Sequence, residues 1–271
     1  MFLKVEDIIK IMEKYAPPKL KEDYDNVGLM VGDRNSEVGK ILVTLDVTLD
    51  VINEAKEKGC NFILSHHPIL FKRPKTITTD TLLGKKIIEI IKNDINVYSS
   101  HTNLDSVKNG INDMAAKILG YNDFKVLDCS KVLGYNGGSH GIGRIIKLEE
   151  PITLKELCIK VKNNFNTPFV RFCGEENKEI KTISIINGSG EDYLALSKIK
   201  GADCIITGDT TYHYVSDIKE EDVALIDAGH FVTEWLPMVS FANEFKNILE
   251  SQGYKNEIII SEKNSDPYKV M

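Results

Sequence analysis

Two hydrophobic periods run along this chain, one reading as helix and the other as buried strand. Val5, Ile8, Ile9 and Met12 recur at i, i+3, i+4 and i+7, which predicts a helix over Val5–Tyr15 stopped by Pro17-Pro18. Lys40–Leu45 reads as a strand followed by Asp46, and Thr48 is placed to cap a helix over Leu49–Lys58 that ends at Gly59. Phe62, Ile63 and Leu64 form a second short apolar run, so strand, helix and strand predict a right-handed βαβ unit. A helix over Thr81–Asn93, a strand over Ile95–Ser99 and a helix around Gly110–Leu119 complete this half at Gly120.

From Asp123 the texture changes. Five glycines are crowded into Leu133–Gly143, predicting a mobile loop between strands; their order fits neither G-x-G-x-x-G nor a phosphate-binding G-x-x-x-x-G-K-[ST] loop. Thr153 with Glu156 forms a capping box for a helix over Leu154–Phe165. Strands are expected at Phe169–Cys173, Lys181–Ile186, Ile205–Thr207, Val223–Ile226 and Glu257–Ser261, with a helix near Asp192–Lys200 after the turn Gly188-Ser189-Gly190. Phe231, Trp235, Met238, Ala242, Phe245 and Leu249 repeat every three or four residues and predict a long helix with one core face.

The pattern as a whole predicts an α/β protein.

Polar chemistry collects where predicted strands stop. The apolar run at Phe62 ends in Ser65-His66-His67-Pro68, and Pro68 forces the chain out of the ladder so that both imidazoles are presented. The next strand ends in His101-x-x-x-Asp105, and a later one runs into His230-x-x-x-Glu234, a pair one turn apart at a helix start. Taken alone, such a His/Glu pair is only a first-turn carboxylate favoured by the helix dipole. Four of six histidines at strand ends beside acids is a different matter, because the carboxyl edge of a parallel sheet is where α/β proteins place ligands.

Imidazoles and carboxylates without thiolate suit zinc, manganese, iron, cobalt or nickel. The set is too large for one catalytic zinc and fits two divalent ions about 3.5–4 Å apart, bridged by a carboxylate such as Asp105 or Glu234.

Composition narrows the rest. The 271 residues are 42% hydrophobic, enough for one large core or two medium ones. No apolar run reaches the length of a membrane span, and the N-terminal segment lacks a leader pattern, so the expectation is a cytoplasmic protein without membrane association. A net charge of −6 argues against sequence-independent nucleic-acid binding, while two cations in an acidic chain would favour an anionic small molecule such as a nucleotide. Cys60, Cys129, Cys158, Cys173 and Cys204 are scattered without a C-x-x-C pair and read as buried free thiols. His140, in the glycine loop, reads as exposed.

These residues also match a known family. Asp25-Asn26-Val27-Gly28-Leu29-Met30-Val31-Gly32, Ser65-His66-His67-Pro68, His101-Thr102-Asn103-Leu104-Asp105 and Gly229-His230-Phe231-Val232-Thr233-Glu234 resemble the motifs of the dinuclear-metal, Nif-three-like proteins. Members are often labelled GTP cyclohydrolase I type 2-like, and the likeness covers essentially the whole chain. Tyr24 stands where a tryptophan is common, and Asp209 where a glutamate is frequent. The resemblance implies that His66, His67, Asp105, His230 and Glu234 hold two metal ions with His101 close by, His101 being the candidate for proton transfer. It also implies two α/β/α-type domains of related architecture with mostly parallel sheets, the second, 123–222, inserted into a first made of 1–122 and 223–271, together with a toroidal homohexamer and the short form of the family, with Asp209 and His213 as further pocket candidates. Two functions are open at this point: a metal-dependent hydrolase of a nucleotide or phosphorylated heterocycle, acting as cyclohydrolase or phosphoesterase, and a non-enzymatic metal-binding scaffold. A serine acyl hydrolase is disfavoured by the lack of a G-x-S-x-G elbow.

Overall fold

In the computed structural model, which describes residues 2–271, the chain enters a first compact unit through helix α1 (Val5–Tyr15) and strands β1 (Gly28–Val31) and β2 (Lys40–Thr44). It continues through α2 (Leu49–Lys58), β3 (Phe62–Ser65), α3 (Leu82–Lys92), β4 (Asn96–Ser99) and α4 (Thr102–Ser106). A second unit holds α5 (Ile111–Ile118), β5 (Lys125–Cys129), β6 (Gly141–Thr153), α6 (Leu154–Asn164), β7 (Arg171–Cys173), β8 (Glu179–Ser189), α7 (Leu194–Ile199), β9 (Cys204–Gly208), α8 (Tyr212–Glu220) and β10 (Ala224–Asp227). Helix α9 (His230–Ser251) then leads back, and β11 (Glu257–Ile260) completes the first unit.

The local signals act as the sequence predicts. The Thr48 hydroxyl accepts from the Val51 N–H at 3.1 Å, and Gly59 closes α2 in the left-handed region at φ 68°. Thr153 and Glu156 exchange both capping-box bonds at the start of α6.

The first sheet has the order β1-β4-β3-β2-β11. β4, β3, β2 and β11 are parallel and β1 is antiparallel to β4 at one edge. Register aligns Thr44 with Ser65 and Ser65 with Ser99, so the residues that follow β2, β3 and β4 leave the sheet side by side. Leu42, Ile63 and Val97 pack with Val51, Ile52 and Ala55 of α2 and Ile90 of α3.

The second sheet, β5-β6-β8-β9-β10-β7, has a parallel centre of β8, β9 and β10 flanked by antiparallel strands. One face of that sheet packs Ile183, Ile185, Ile206 and Ile226 against Leu157, Val161 and Phe165. The other packs Ile186, Ile205 and Leu225 with Leu194 and Ile218. Covering both faces is what lets the central strands be continuous apolar runs.

The first unit runs through Leu104 and resumes at Met238, while the second spans Asp105–Pro237. β10 belongs to the second unit because its backbone groups pair with β9 and β7, and α5 belongs there because Ala115, Ala116 and Leu119 enter that core. In α9 the predicted apolar face holds from Met238 onward, where Met238, Phe241, Ala242, Phe245 and Leu249 are buried. Before Pro237 it is Val232 and Leu236 that pack on the second core, leaving Phe231 and Trp235 half-buried with ring centroids 6.0 Å apart. Cys129 is exposed, and His140 is half-buried rather than exposed. Helices α4 and α8 were not legible: α4 is a single short turn, and α8 buries only Ile218.

Two buried charges are fully organised. Arg144, 1% exposed, pairs with Asp113 and donates to the carbonyls of Gly141 and Gly143 at 2.8 and 2.7 Å. Glu54, 2% exposed, accepts from Lys58 at 2.8 Å, Ser261 at 2.5 Å and the backbone N–H groups of Glu262 and Lys263. Burial would raise the Glu54 pKa, but these donors outweigh it and hold the carboxyl below its ordinary value of 4.5. A depressed folded-state pKa gives stability that is present above pH 4.5 and lost as pH falls through the lower folded-state value. The stability gap between the parent and Glu54→Gln, measured by urea denaturation, should therefore be full at pH 7 and shrink as the pH is taken below that point.

Candidate metal centre

In the first unit three neighbouring parallel strands deliver the chemistry: Asp46 follows β2, His66 and His67 follow β3, and His101 follows β4. His66 is fully buried, with Nδ1 2.9 Å from the Ser100 carbonyl oxygen. A carbonyl can only accept, so Nδ1 carries the proton and the lone pair is on Nε2. His67 Nδ1 lies 2.9 Å from Asp46 Oδ1, and His101 Nδ1 lies 2.8 Å from Asp25 Oδ1, which fixes the same tautomer in both. Ligand atoms of His66, His67 and His101, one from each, lie within 4.8 Å of one another. Three imidazoles oriented by oxygen acceptors form a donor set suited to a borderline divalent cation, so the residues fit the metal that the motifs imply.

Asp25 is buried and also accepts from the Thr102 N–H at 3.0 Å and the Thr102 hydroxyl at 2.5 Å. Burial pushes its carboxyl up, but the hydrogen bond and charge of His101, with the Thr102 bonds, hold it well below the usual carboxylate range. It therefore stays ionised beside His101. A cavity of about 350 Å³ adjoins His67 and Asp46 and is entered by Lys86 of α3. Burial pushes the Lys86 ammonium down from its ordinary pKa, and Asp46 opposes that.

In the second unit three neighbouring parallel strands do comparable work. β8 ends at Gly188-Ser189, Asp209 follows β9, and His230 follows β10. His230 Nδ1 is 2.6 Å from Asp209 Oδ2, and its Nε2 is 3.0 Å from Glu234 Oε2 in the first turn of α9. Asp209 sits at φ 49°, a left-handed conformation that Asp tolerates and that occurs at functional sites. Asp227 braces the turn into α9, accepting from the Gly229 N–H at 3.0 Å and the Thr210 hydroxyl at 2.6 Å while pairing with Arg171. Gly188 lies against the pair: a Cβ there would meet Glu234 Oε1 at 2.2 Å, and its φ of +62° already disfavours a side chain.

Asp105 of α4 is half-buried, with Oδ1 3.4 Å and its carbonyl 3.2 Å from Asn112 Nδ2. Of the two further pocket candidates, Asp209 is drawn onto His230, whereas His213 lies exposed on α8 against the Tyr212 ring. Sequence reasoning missed Asp25 and Asp46 as partners of His101 and His67. Asp46, just past a strand end like the histidines, carried a signal that could have found it; Asp25, 76 residues from His101, carried none beyond its motif.

Two consequences can be measured. Asp46→Asn and Asp209→Asn remove the charge behind His67 and His230, and each should weaken zinc binding about 10–100-fold in a chelator competition. Gly188→Ala should cut metal content sharply, because the new methyl displaces Glu234 and His230. Gly201→Ala, also at positive φ but with open space around its Cβ, should leave metal content unchanged.

The family model described as Duf34/NIF3 (NGG1p interacting factor 3) matches residues 3–267. A Clostridium acetobutylicum relative named GTP cyclohydrolase 1 type 2 homolog is 54% identical over 272 residues, covering 99% of each chain. A Clostridium perfringens relative of the same name is 49% identical and covers 98% of this chain and 99% of its own. The crystal structure of the Staphylococcus aureus hypothetical protein SA1388 superposes with a TM-score of 0.94 at 31% identity, covering 100% of both chains. Among the described residues no helix is long and apolar enough to cross a membrane. The chain belongs to the Duf34/NIF3 family.

Proposed function

We propose that His66, His67, Asp105, His230 and Glu234 hold two divalent metal ions and that the protein is a metal-dependent hydrolase acting on a nucleotide or phosphorylated heterocycle. The observation that carries this reading is the shared state of the imidazoles. His66, His67 and His101 each commit Nδ1 to an oxygen acceptor, which leaves Nε2 basic in all three. Divalent cations held by these residues would supply Lewis acidity and lower the pKa of water toward neutrality. Glu234 and Asp105 would complete the donor set with hard oxygen ligands. Neutral imidazoles and two carboxylates leave the loaded site net positive, which favours an anionic substrate in a chain of net charge −6.

His101 is the residue proposed to move the proton. Its Nδ1–H is held by a carboxylate that stays ionised, so a proton taken up at Nε2 is stabilised by Asp25. Attack at a purine carbon and attack at phosphorus use the same groups, so the reading covers both cyclohydrolase and phosphoesterase chemistry. The assembly proposed is the toroidal homohexamer, with a mass in solution near six times 30.4 kDa.

Metal analysis of protein purified without chelator tests the reading. About two transition-metal ions per chain are expected in the parent and close to none in an Asp105→Ala, Glu234→Ala double variant, with nucleotide turnover lost on metal removal. One ion or none after reconstitution with zinc or manganese would sink the two-metal mechanism. Two ions without turnover of any nucleotide would leave a metal-binding scaffold as the function.

A further inference from the structure

The three histidines of the first unit do not stand alone: the surface on either side of them carries features that the metal site itself does not need. On the His101 side, Phe71 lies edge-on to the imidazole with ring centroids 6.5 Å apart, and Tyr24 meets Phe71 edge-on at 6.3 Å. Both aromatics are well exposed, Tyr24 at 67% and Phe71 at 46%. Their placement is enforced, because the Asn26 side-chain amide donates to the Leu70 carbonyl at 2.7 Å and ties the Tyr24 loop to the loop after β3. Two large rings held in place yet left in water are not core residues, and a ring face beside a candidate catalytic imidazole is a stacking platform.

On the His67 side lies the cavity of about 350 Å³, walled by Val47, Pro68 and Ile69 and containing Lys86. Lys86 is half-buried in this cavity, which Asp46 and His67 also line. The same loop, Pro68–Phe71, thus supplies the cavity wall on one side and the aromatic ring on the other.

Resting on the hydrolase reading above, we propose that this loop builds a two-part substrate subsite. Phe71 with Tyr24 would stack a planar heterocycle next to His101, and Lys86 would pair with an anionic group, most simply a phosphate, beside His67. The substrate class is therefore narrowed to a planar ring bearing a phosphate, as opposed to a sugar phosphate or a simple phosphomonoester. A lysine suits the second role because it is a point charge that gains most where it is partly desolvated. The aromatic pair suits the first because stacking tolerates any flat base and takes its hydrogen-bond selectivity from elsewhere.

Titration calorimetry on the metal-loaded protein, with GMP, guanosine, ribose 5-phosphate and inorganic phosphate as probes, tests the proposal. The parent should bind GMP more tightly than ribose 5-phosphate. Phe71→Leu should weaken GMP and guanosine about 10-fold, in line with the worth of one stacked base, and leave inorganic phosphate unmoved. Lys86→Gln should weaken GMP, ribose 5-phosphate and inorganic phosphate while sparing guanosine. Metal content is measured on every sample, and both variants should retain that of the parent, since neither residue is a proposed ligand.

Equal affinity of the parent for GMP and ribose 5-phosphate, or a Phe71→Leu variant that keeps GMP binding, overturns the stacking role. A Lys86→Gln variant that keeps phosphate binding overturns the anion role. If the parent proves to hold no metal, the hydrolase reading fails separately. The same GMP and guanosine titrations then still decide the subsite, because Phe71, Tyr24 and Lys86 are positioned by protein contacts alone.

Discussion

Four imidazoles in this protein hand their Nδ1–H to an oxygen, and the chemistry of the chain depends on that one interaction. The acceptors differ: the Ser100 carbonyl for His66, and Asp46, Asp25 and Asp209 for His67, His101 and His230. The consequence is common to all. Each ring is fixed in orientation; in His66, His67 and His101 the lone pair is on Nε2, whereas His230 has a carboxylate oxygen at each nitrogen, Asp209 at Nδ1 and Glu234 at Nε2. Without those acceptors the rings would be free to rotate; with them, each is held in a fixed orientation.

The acceptors are available because of how parallel sheets end. In the first unit Asp46, His66, His67 and His101 leave three adjacent strands at one edge. In the second, Gly188, Asp209 and His230 do the same from β8, β9 and β10. Adjacent parallel strands in register bring residues that are 20–40 positions apart in sequence within reach of one another, and a backing acid can come from the next strand as easily as from the same one. The two units thus solve the same problem with the same architecture.

Close approach to those sheet ends is obtained with glycine. Gly188 lies where any Cβ would collide with Glu234, and Gly208 lets the backbone after β9 meet the first residues of α9, with the His230 nitrogen 2.5 Å from where a Cβ would be. In the sequence both glycines look like turn residues. Their role is steric: they remove atoms from a place where a helix start and a strand end must touch.

Much of the fold was legible from local chemistry. The caps at Thr48 and Thr153, the stop at Gly59, the apolar runs of β2, β3, β9 and β10 and the core side of α9 beyond Pro237 all follow from interactions within a few residues. Those signals act before any tertiary contact forms. The candidate donors were legible for a related reason, since strand-end histidines beside acids have a fixed place in a parallel sheet. What the sequence could not decide was partnership over distance. The pairing of Asp25 with His101, the allegiance of β10 and α5 to the second unit and the partition of α9 at Pro237 depend on which surfaces meet. So does the neighbourhood of Phe71, Lys86 and the histidines, which joins separate loops and helices. Periodicity records which residues are buried, because burial depends on one face of one element. It does not record against what they are buried, because that is set by the packing of the whole chain.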